Sequence, residues 1–310
     1  MIVKQYDIIS NNKTLKGTLY LPDNDAKGII EIVHGMAEHR QRYDDFCKFL
    51  SKHNYIVYIY DQLGHGETAL NIESLGYMDD KDNLEAMLKD VKKVNEELNN
   101  NFNKENNLKF YLLGHSMGSF ISQRYLQLYN DSINGLILSG TNYTKSFLYS
   151  LGRPIAKTVV LFKGRKHKSK FLDKMSFGSY NKQIKNNKTD FDWLSLNEEN
   201  VYNYIKDPYC GTLFSASYFY DLLKLFKKIN KGYKKINCDK NLPIYLFSGE
   251  CDPVGNMGKG VKKLYNQLNK IGFKNLDLKL YKNYRHEMLN ELNKEEVYNN
   301  LLAWLDKFEK

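Results

Sequence analysis

The stretch that decides the fold reads Leu108-Lys109-Phe110-Tyr111-Leu112-Leu113-Gly114-His115-Ser116-Met117-Gly118. Its apolar first half predicts a buried β-strand over Leu108–Leu113, and a helix is predicted over Met117–Tyr129. Gly114, Ser116 and Gly118 form a Gly-x-Ser-x-Gly motif at the turn between them. Such a turn is strained and lifts the serine hydroxyl above the sheet, while the glycines allow close backbone packing. The stretch therefore predicts an α/β fold with Ser116 as its nucleophile.

Strand and helix patterns alternate on both sides of this turn. Strands are predicted at Ile2–Ile9, Thr14–Tyr20, Gly28–Val33, Tyr55–Tyr60, Ile133–Ser139, Pro243–Ser248 and Leu276–Tyr281. This alternation is typical of a doubly wound, mostly parallel sheet. It stops between residues 141 and 240, where apolar helix-like pieces and basic loops replace it. We therefore expect an α/β core made of residues 1–140 and 241–310, with a helical cap inserted over 141–240.

A serine nucleophile needs a general base, and the chain has seven histidines from which to choose. His286 follows the last predicted strand and precedes the last predicted helix. In a doubly wound sheet that loop lies at the carboxyl edge of the strands, as Ser116 does. The other histidines lie in strand-end turns, on a helix or in a basic run (His34, His39, His53, His65, His115 and His167). We therefore predict that His286 is the base.

An acid that orients the histidine is expected after the penultimate strand, in Gly249-Glu250-Cys251-Asp252-Pro253-Val254. Asp252 precedes a proline, which favours an extended backbone and a fixed turn. Glu250 is the alternative, although an edge ion pair would explain it. We predict Asp252.

Acyl transfer also needs backbone N–H groups that stabilise an oxyanion. The residue after the nucleophile, Met117, supplies one such N–H group in this type of turn. The loop that follows the Gly28–Val33 strand supplies the other, and there Gly35 lets the backbone bend close to the substrate. We predict that Met36 and Met117 form the oxyanion hole.

The bulk properties are those of an ordinary globular chain of 310 residues, with 42% hydrophobic and 26% charged residues. We find no pattern of a signal peptide or a spanning helix. The cysteines lack paired CxxC spacing, so reduced thiols and a cytoplasmic location are expected. His34, Glu38 and His39 lack the His-Glu-x-x-His spacing, and no P-loop ending follows the glycines near Gly258. We expect neither a metal nor a cofactor.

Charge is concentrated in the middle of the chain. The net charge is +10 overall, whereas residues 141–240 hold 20 Lys and Arg against 8 Asp and Glu, a net charge of +12. The densest part is the run from Lys163 to Lys170. A solvated loop is one interpretation, and peripheral contact with an anionic membrane is the other. No RRM-type or zinc-finger signature accompanies the run, so a nucleic-acid partner is not predicted.

Five ordered motifs together resemble the monoacylglycerol lipase and lysophospholipase branch of the α/β-hydrolases, which includes hydrolases similar to serine aminopeptidase S33. They are His34-Gly35-Met36-Ala37-Glu38-His39, Asp61-Gln62-Leu63-Gly64-His65-Gly66, Gly114-His115-Ser116-Met117-Gly118, Asp252-Pro253-Val254 and His286-Glu287. The nucleophile, acid and base occur in the chain order typical of α/β-hydrolases. The resemblance implies a triad of Ser116, Asp252 and His286, structural roles for Asp61 and His65, and a cap that forms an apolar acyl tunnel.

The resemblance also implies residues that hold the glycerol end of a monoacylglycerol. An arginine after the His-Gly-x-x-Glu-His motif and a cap tyrosine match Arg42 and Tyr204. Asn200 stands where the glycerol pocket has a cap glutamate, and Leu289 stands where it has a histidine. Lysophospholipids and short-chain esters therefore stay open as substrates.

The sequence thus predicts a cofactor-free serine hydrolase that cleaves esters of small lipid molecules through an acyl-enzyme intermediate. Two alternatives stay open: an aminopeptidase-type peptidase on the same fold, and a binding protein without catalysis. The aromatic segment Leu213–Phe226 is interpreted either as a wall of an acyl tunnel or as ordinary helical core packing.

Overall fold

A computed structural model describes residues 1–78, 83–104, 106–143 and 146–309. Its main sheet has eight strands in the order β1-β4-β6-β5-β7-β8-β9-β10. The six strands from β6 to β10 in this order are parallel, whereas at one edge β4 pairs antiparallel with β6 and β1 pairs antiparallel with β4. The strands are β1 Ile2–Gln5, β4 Gly17–Leu21, β5 Gly28–Val33, β6 Tyr55–Tyr60, β7 Lys109–His115, β8 Gly135–Ser139, β9 Ile244–Gly249 and β10 Leu276–Tyr281. The predicted α/β class with a mostly parallel sheet is confirmed.

Helices cover both faces of this sheet. One face packs against α1 Asp44–Lys52 and α9 Lys294–Asp306, and the other packs against α2 Asn83–Phe102, α3 Met117–Tyr129 and α8 Lys259–Ile271. Strands covered on both faces are expected to be continuously apolar rather than alternating. The strands β5, β6, β8 and β9 are indeed buried along their whole length. The parallel arrangement brings the carboxyl ends of these strands to a single edge.

The described residues between β8 and β9 form four α-helices. They are α4 Ser146–Lys163, α5 Lys170–Phe177, α6 Glu198–Lys206 and α7 Ala216–Gly232. We call residues 141–240 the cap segment. Within its aromatic stretch, Phe214, Tyr218, Phe219 and Leu225 are buried in the core, and the Phe226 ring lies 4.8 Å from the Phe120 ring of α3. Core packing therefore accounts for the buried members of this stretch.

The amino-terminal strands differ from the prediction. The predicted strand Ile2–Ile9 is two strands, β1 and β2 Ile8–Ser10, and Thr14–Tyr20 is likewise divided between β3 Lys13–Leu15 and β4. Asp7 lies at the first break, where its carboxylate accepts hydrogen bonds from the Lys16 ammonium group at 2.6 Å and the Gly17 N–H at 3.4 Å. These side-chain contacts separate β1, which pairs with β4, from the small β2–β3 hairpin.

Within the described ranges, no helix combines the length and apolar character needed to cross a bilayer. The four cysteines, Cys47, Cys210, Cys238 and Cys251, are free in the structure.

Candidate active site

Ser116 lies in a strained turn between β7 and α3. Its φ of 52° and ψ of −116° fall in a region that residues with side chains seldom adopt, and such strain is common where a side chain must be presented for chemistry. The flanking glycines explain how the turn fits. A Cβ on Gly114 would lie 2.4 Å from the Gly118 carbonyl oxygen, and one on Gly118 would lie 1.9 Å from the Val33 carbonyl oxygen. The turn predicted from the motif is therefore present, with β5 packed directly against it.

His286 and Asp252 form a buried pair in the loops after β10 and β9. The His286 Nδ1 lies 3.0 Å from Asp252 Oδ1, and both side chains are almost completely buried. Asp252 is fixed by two further donors, the Ser248 hydroxyl at 2.9 Å and the Val254 N–H at 2.8 Å. An imidazole held through Nδ1 presents Nε2 for proton transfer.

The pair has opposite pKa shifts that keep Asp252 ionised. Burial alone would raise the pKa of Asp252, but the charge and hydrogen bond of His286, with the Ser248 and Val254 donors, lower it below its usual value. Burial alone would lower the pKa of His286, but the Asp252 carboxylate raises it above 6.5, and the charges of Glu287 and Glu38 add to this effect. This arrangement stabilises an imidazolium, the form that a general base takes during acyl transfer.

The structure brings His286 to the edge where Ser116 lies. The His286 ring centroid is 4.7 Å from that of His115, the residue before Ser116. The Ser116 N–H donates to the Ser139 carbonyl oxygen at 2.9 Å, and a Cβ on the next residue, Gly140, would lie 2.9 Å from His286 Cε1. Glu250, the alternative acid, is exposed. The geometry therefore favours Asp252 over Glu250.

The two predicted oxyanion donors belong to two segments next to the nucleophile, the start of α3 and the turn after β5. Met117 is the first residue of α3, so its N–H group has no partner within the helix. Met36 belongs to the turn after β5, residues His34–His39, which we call the HG loop. A Cβ on Gly35 of this loop would lie 3.2 Å from Ser116 Cβ. The loop backbone thus approaches Ser116 as closely as a glycine allows.

Three further histidines at this edge are buried and neutral. Burial is the main cause that lowers the pKa of His34 and His65 to about 3 and that of His115 to about 4. His34 Nε2 accepts the Gln62 N–H at 3.0 Å, and its ring packs edge-on against His65. These contacts are those of structural residues.

Asp61 likewise has structural contacts. Its carboxylate accepts the Arg40 N–H at 2.7 Å and the Glu67 N–H at 2.9 Å, and it forms an ion pair with the Arg40 guanidinium. Asp61 thereby ties the end of β6 to the 3-10 turn Arg40–Tyr43, which precedes α1.

Arg42 is buried within a network of charged and polar groups. Its two terminal nitrogens donate to Glu38 at 2.7 Å, to both carboxylate oxygens of Glu287 at 2.6 and 2.7 Å, and to Asn200 at 3.1 Å. The Arg42 guanidinium also lies 4.9 Å from the Tyr204 ring centroid. Its charge and hydrogen bonds lower the pKa of Glu287, against the effect of burial. Contact of Arg42 and Tyr204 with a substrate stays a prediction.

Comparison with known proteins places this geometry in a family. The family model described as serine aminopeptidase, S33 matches residues 24–293. This chain belongs to the serine aminopeptidase S33 family. The S33 match spans every residue of the candidate site.

Individual S33 relatives carry lipase and esterase names. The monoglyceride lipase of Rattus norvegicus is 23% identical over 282 residues, which cover 91% of this chain and 82% of the relative. The probable lysophospholipase L2 of Haemophilus influenzae is 23% identical, covering 94% and 86%. A solved carboxyl esterase of Bacillus coagulans in complex with glycerol superposes with a TM-score of 0.90 at 25% identity over the whole of both chains. The predicted resemblance and the α/β-hydrolase fold are confirmed.

Sequence reasoning missed several residues of this S33 site. Glu38 and Glu287 lie inside quoted motifs but received no role, and Asn200 was noted only as a departure from the family pattern. In the structure Asn200 donates to Glu287 at 2.7 Å and accepts from Arg42. A signal was present for the two glutamates, because each directly neighbours a motif histidine. None existed for Asn200, which lies on α6 far along the chain.

One group among the described residues has donor atoms that could hold a metal ion. His39, Asp207 and Cys210 place their nitrogen, oxygen and sulfur atoms within 4.8 Å of one another. His39 Nε2 is already paired with Asp207 Oδ2 at 2.7 Å. Burial raises the pKa of the Cys210 thiol, which disfavours the thiolate that a metal ion would need. The His39–Asp207 contact therefore serves as a link between the HG loop and the cap segment.

Proposed function

We propose that the protein is a serine hydrolase that cleaves carboxylic esters of single-chain lipids, as monoacylglycerol lipases and lysophospholipases do. The observation that carries the proposal is the buried pair of Asp252 and His286 beside the strained turn of Ser116. The names of the relatives favour an ester over a peptide bond. Asn200 and Leu289, which stand where the family's glycerol pocket has a glutamate and a histidine, leave the alcohol part of the ester open.

The chain's own residues suffice for the proposed reaction. Ser116 Oγ attacks the ester carbonyl carbon while His286 takes the hydroxyl proton, oriented by Asp252. The N–H groups of Met36 and Met117 stabilise the oxyanion. His286 then returns the proton to the leaving oxygen, so that the alcohol departs and an acyl-Ser116 ester remains. Water, activated by His286, releases the carboxylic acid.

A hydrolysis panel tests the reaction type. It compares monoacylglycerols and lysophospholipids of graded chain length, p-nitrophenyl esters and aminoacyl-anilides, each with wild type and Ser116→Ala. We expect turnover of the esters by wild type and its loss in the variant, with an unchanged fold by circular dichroism. Hydrolysis of the anilides alone would support the peptidase instead. No turnover of any compound would support a binding protein.

We further propose that the protein is cytoplasmic and that its cap segment docks on an anionic lipid surface. Leu151, Ile155 and Phe162 form an exposed stripe on α4, and Phe162 is 78% exposed. On α5, Phe171 and Met175 are exposed as well. Exposed lysines surround these residues (Lys157, Lys163, Lys166, Lys170 and Lys174). Apolar residues that enter the interface beside cations that attract lipid phosphates are typical of peripheral membrane binding.

Vesicle sedimentation tests this docking. We expect binding to vesicles that contain phosphatidylglycerol, with an affinity that falls as salt rises. Phe162→Ser should weaken binding, whereas Ile9→Ser, at an apolar residue of the β2–β3 hairpin that is 69% exposed, should not. A vesicle affinity that does not change with salt concentration, or equal effects of the two variants, would contradict the proposal.

A further inference from the structure

The HG loop has a backbone conformation that it cannot maintain alone. Ala37 follows Met36 and has a φ of 59°, in the left-handed region that non-glycine residues rarely adopt. Such a residue is strained and persists only where its surroundings fix it. The restraint upstream of Met36 is internal to the loop, because the Gly35 N–H donates to Glu38 Oε1 at 2.6 Å.

The restraint downstream of Met36 comes from the cap segment. The Ala37 carbonyl oxygen accepts two hydrogen bonds, from the Tyr204 hydroxyl at 2.9 Å and from the Gly211 N–H at 2.9 Å. Tyr204 lies on α6 and is buried, with its ring between the Arg42 guanidinium and the Phe191 ring. A phenol held in this way is a rigid donor rather than a mobile side chain.

Two more contacts join the same parts of the molecule. His39 Nε2 is paired with Asp207 Oδ2 at 2.7 Å, and Asn200 bridges Arg42 and Glu287, the neighbour of His286. The helix α6 and the turn after it therefore contact the HG loop and the loop of His286 at once. Removal of the cap from this position would release the Ala37 carbonyl group.

We propose that Tyr204 is a positioning residue, whose hydrogen bond to the Ala37 carbonyl group sets the Met36 N–H as an oxyanion donor while α6 is seated on the core. Tyr204 acts through the loop and not on the alcohol part of the substrate. The oxyanion hole is thus complete only in the closed arrangement of cap and core. This inference rests on the proposed ester-hydrolase function.

Kinetics distinguish a Tyr204 that positions the HG loop from a Tyr204 that binds the glycerol of the substrate. A positioning residue affects the oxyanion for every substrate, so Tyr204→Phe should lower kcat for a p-nitrophenyl ester, which carries no glycerol. We expect a fall of about tenfold, less than the ~10²–10³-fold effect of losing an oxyanion donor, because the Gly211 N–H remains. A residue that binds glycerol would instead raise KM for monoacylglycerol and leave the p-nitrophenyl ester unaffected.

Inhibition by a trifluoromethyl ketone gives a second readout. Its adduct with Ser116 places a negative oxygen in the oxyanion hole, so its Ki should rise in Tyr204→Phe by the same factor by which kcat/KM falls. A general loss of structure would not produce this proportion. The matched control is Tyr202→Phe on the same helix, whose side chain is 54% exposed.

The outcomes separate the inference from the proposed function. Wild type that hydrolyses no ester would refute the function itself. Active wild type whose Tyr204→Phe variant keeps kcat and Ki within about twofold would refute only the positioning role. A loss confined to KM for monoacylglycerol would also overturn it, since that result assigns Tyr204 to substrate binding.

Discussion

Buried acids occur in two very different settings in this protein. Near the catalytic edge, Glu38 and Glu287 share the guanidinium of Arg42, and every one of these side chains is hydrogen-bonded. In the middle of β5, Glu31 is fully buried, and neither carboxyl oxygen has a hydrogen-bond partner among the described residues. Glu38 and Glu287 thus have a cationic partner, whereas Glu31 has no hydrogen-bond partner among the described residues.

The pKa shifts show what pairing does. Arg42 lowers the pKa of Glu287 despite burial, so that this carboxylate is charged and can fix the loops around it. Burial without a partner raises the pKa of Glu31 well above 4.5, so that Glu31 is neutral where Glu287 is ionised. The same side chain is thus a structural anchor in one region and a cost to stability in the other.

The largest effect is expected where a paired acid serves the reaction itself. Asp252→Asn removes the charge that orients His286 and stabilises its protonated form, so kcat should fall about 10⁴-fold. The matched control is Glu250→Gln, two residues away and exposed, which should leave kcat unchanged. Steady-state kinetics with a p-nitrophenyl ester checks both. The reverse pattern would assign the acid to Glu250.

The second-largest effect is expected from breaking the network of Arg42, Glu38 and Glu287, which should lower the free energy of unfolding. Arg42→Met leaves Glu38 and Glu287 buried without their cation, and the loss of one partner of a buried pair costs about 3–5 kcal/mol. Urea denaturation measures this change in the free energy of unfolding. Lys92→Met is the control, because its pair with Glu96 is exposed and worth less than about 1 kcal/mol. Equal effects of the two variants would contradict the contrast.

Removing the unpaired acid should have a smaller effect of opposite sign. Glu31→Met should raise the free energy of unfolding by about 1–3 kcal/mol at pH 7. Because the pKa of Glu31 is raised in the folded state, Glu31 ionises only in the unfolded chain once pH exceeds the ordinary glutamate value. The wild-type protein therefore loses stability as pH rises above that value. The variant should lack this pH dependence. Thermal melts from pH 4 to 8 measure this dependence, with Glu295→Met at an exposed glutamate as the control. Melting temperatures of wild type and Glu31→Met that changed in parallel with pH would contradict the prediction.

Local patterns explain how much of the fold could be predicted. The apolar runs of β6, β8 and β9 and the glycines around Ser116 are short-range signals, and the observed elements follow them closely. The amino-terminal strands were predicted less well, because their break at Asp7 depends on hydrogen bonds with Lys16 and with Gly17 at the start of β4.

In the candidate site, too, some residues could be predicted from the sequence and others could not. Ser116, Asp252 and His286 each follow a strand end, so the topology alone predicts that they meet. The partners of Arg42 could not be predicted, because Glu287 and Asn200 are 245 and 158 residues away along the chain. The role of Tyr204 likewise depends on the position of α6 on the HG loop. Long-range side-chain contacts carry no periodic signal in a sequence.

The central claim is that Ser116 is a nucleophile activated by His286. Reaction of the folded protein with a fluorophosphonate, followed by mass spectrometry of its peptides, tests this claim most directly. We predict one adduct, on the peptide that contains Ser116, and much slower labelling in His286→Ala. An adduct on another residue, or ester hydrolysis that continues unchanged in Ser116→Ala, would contradict the account.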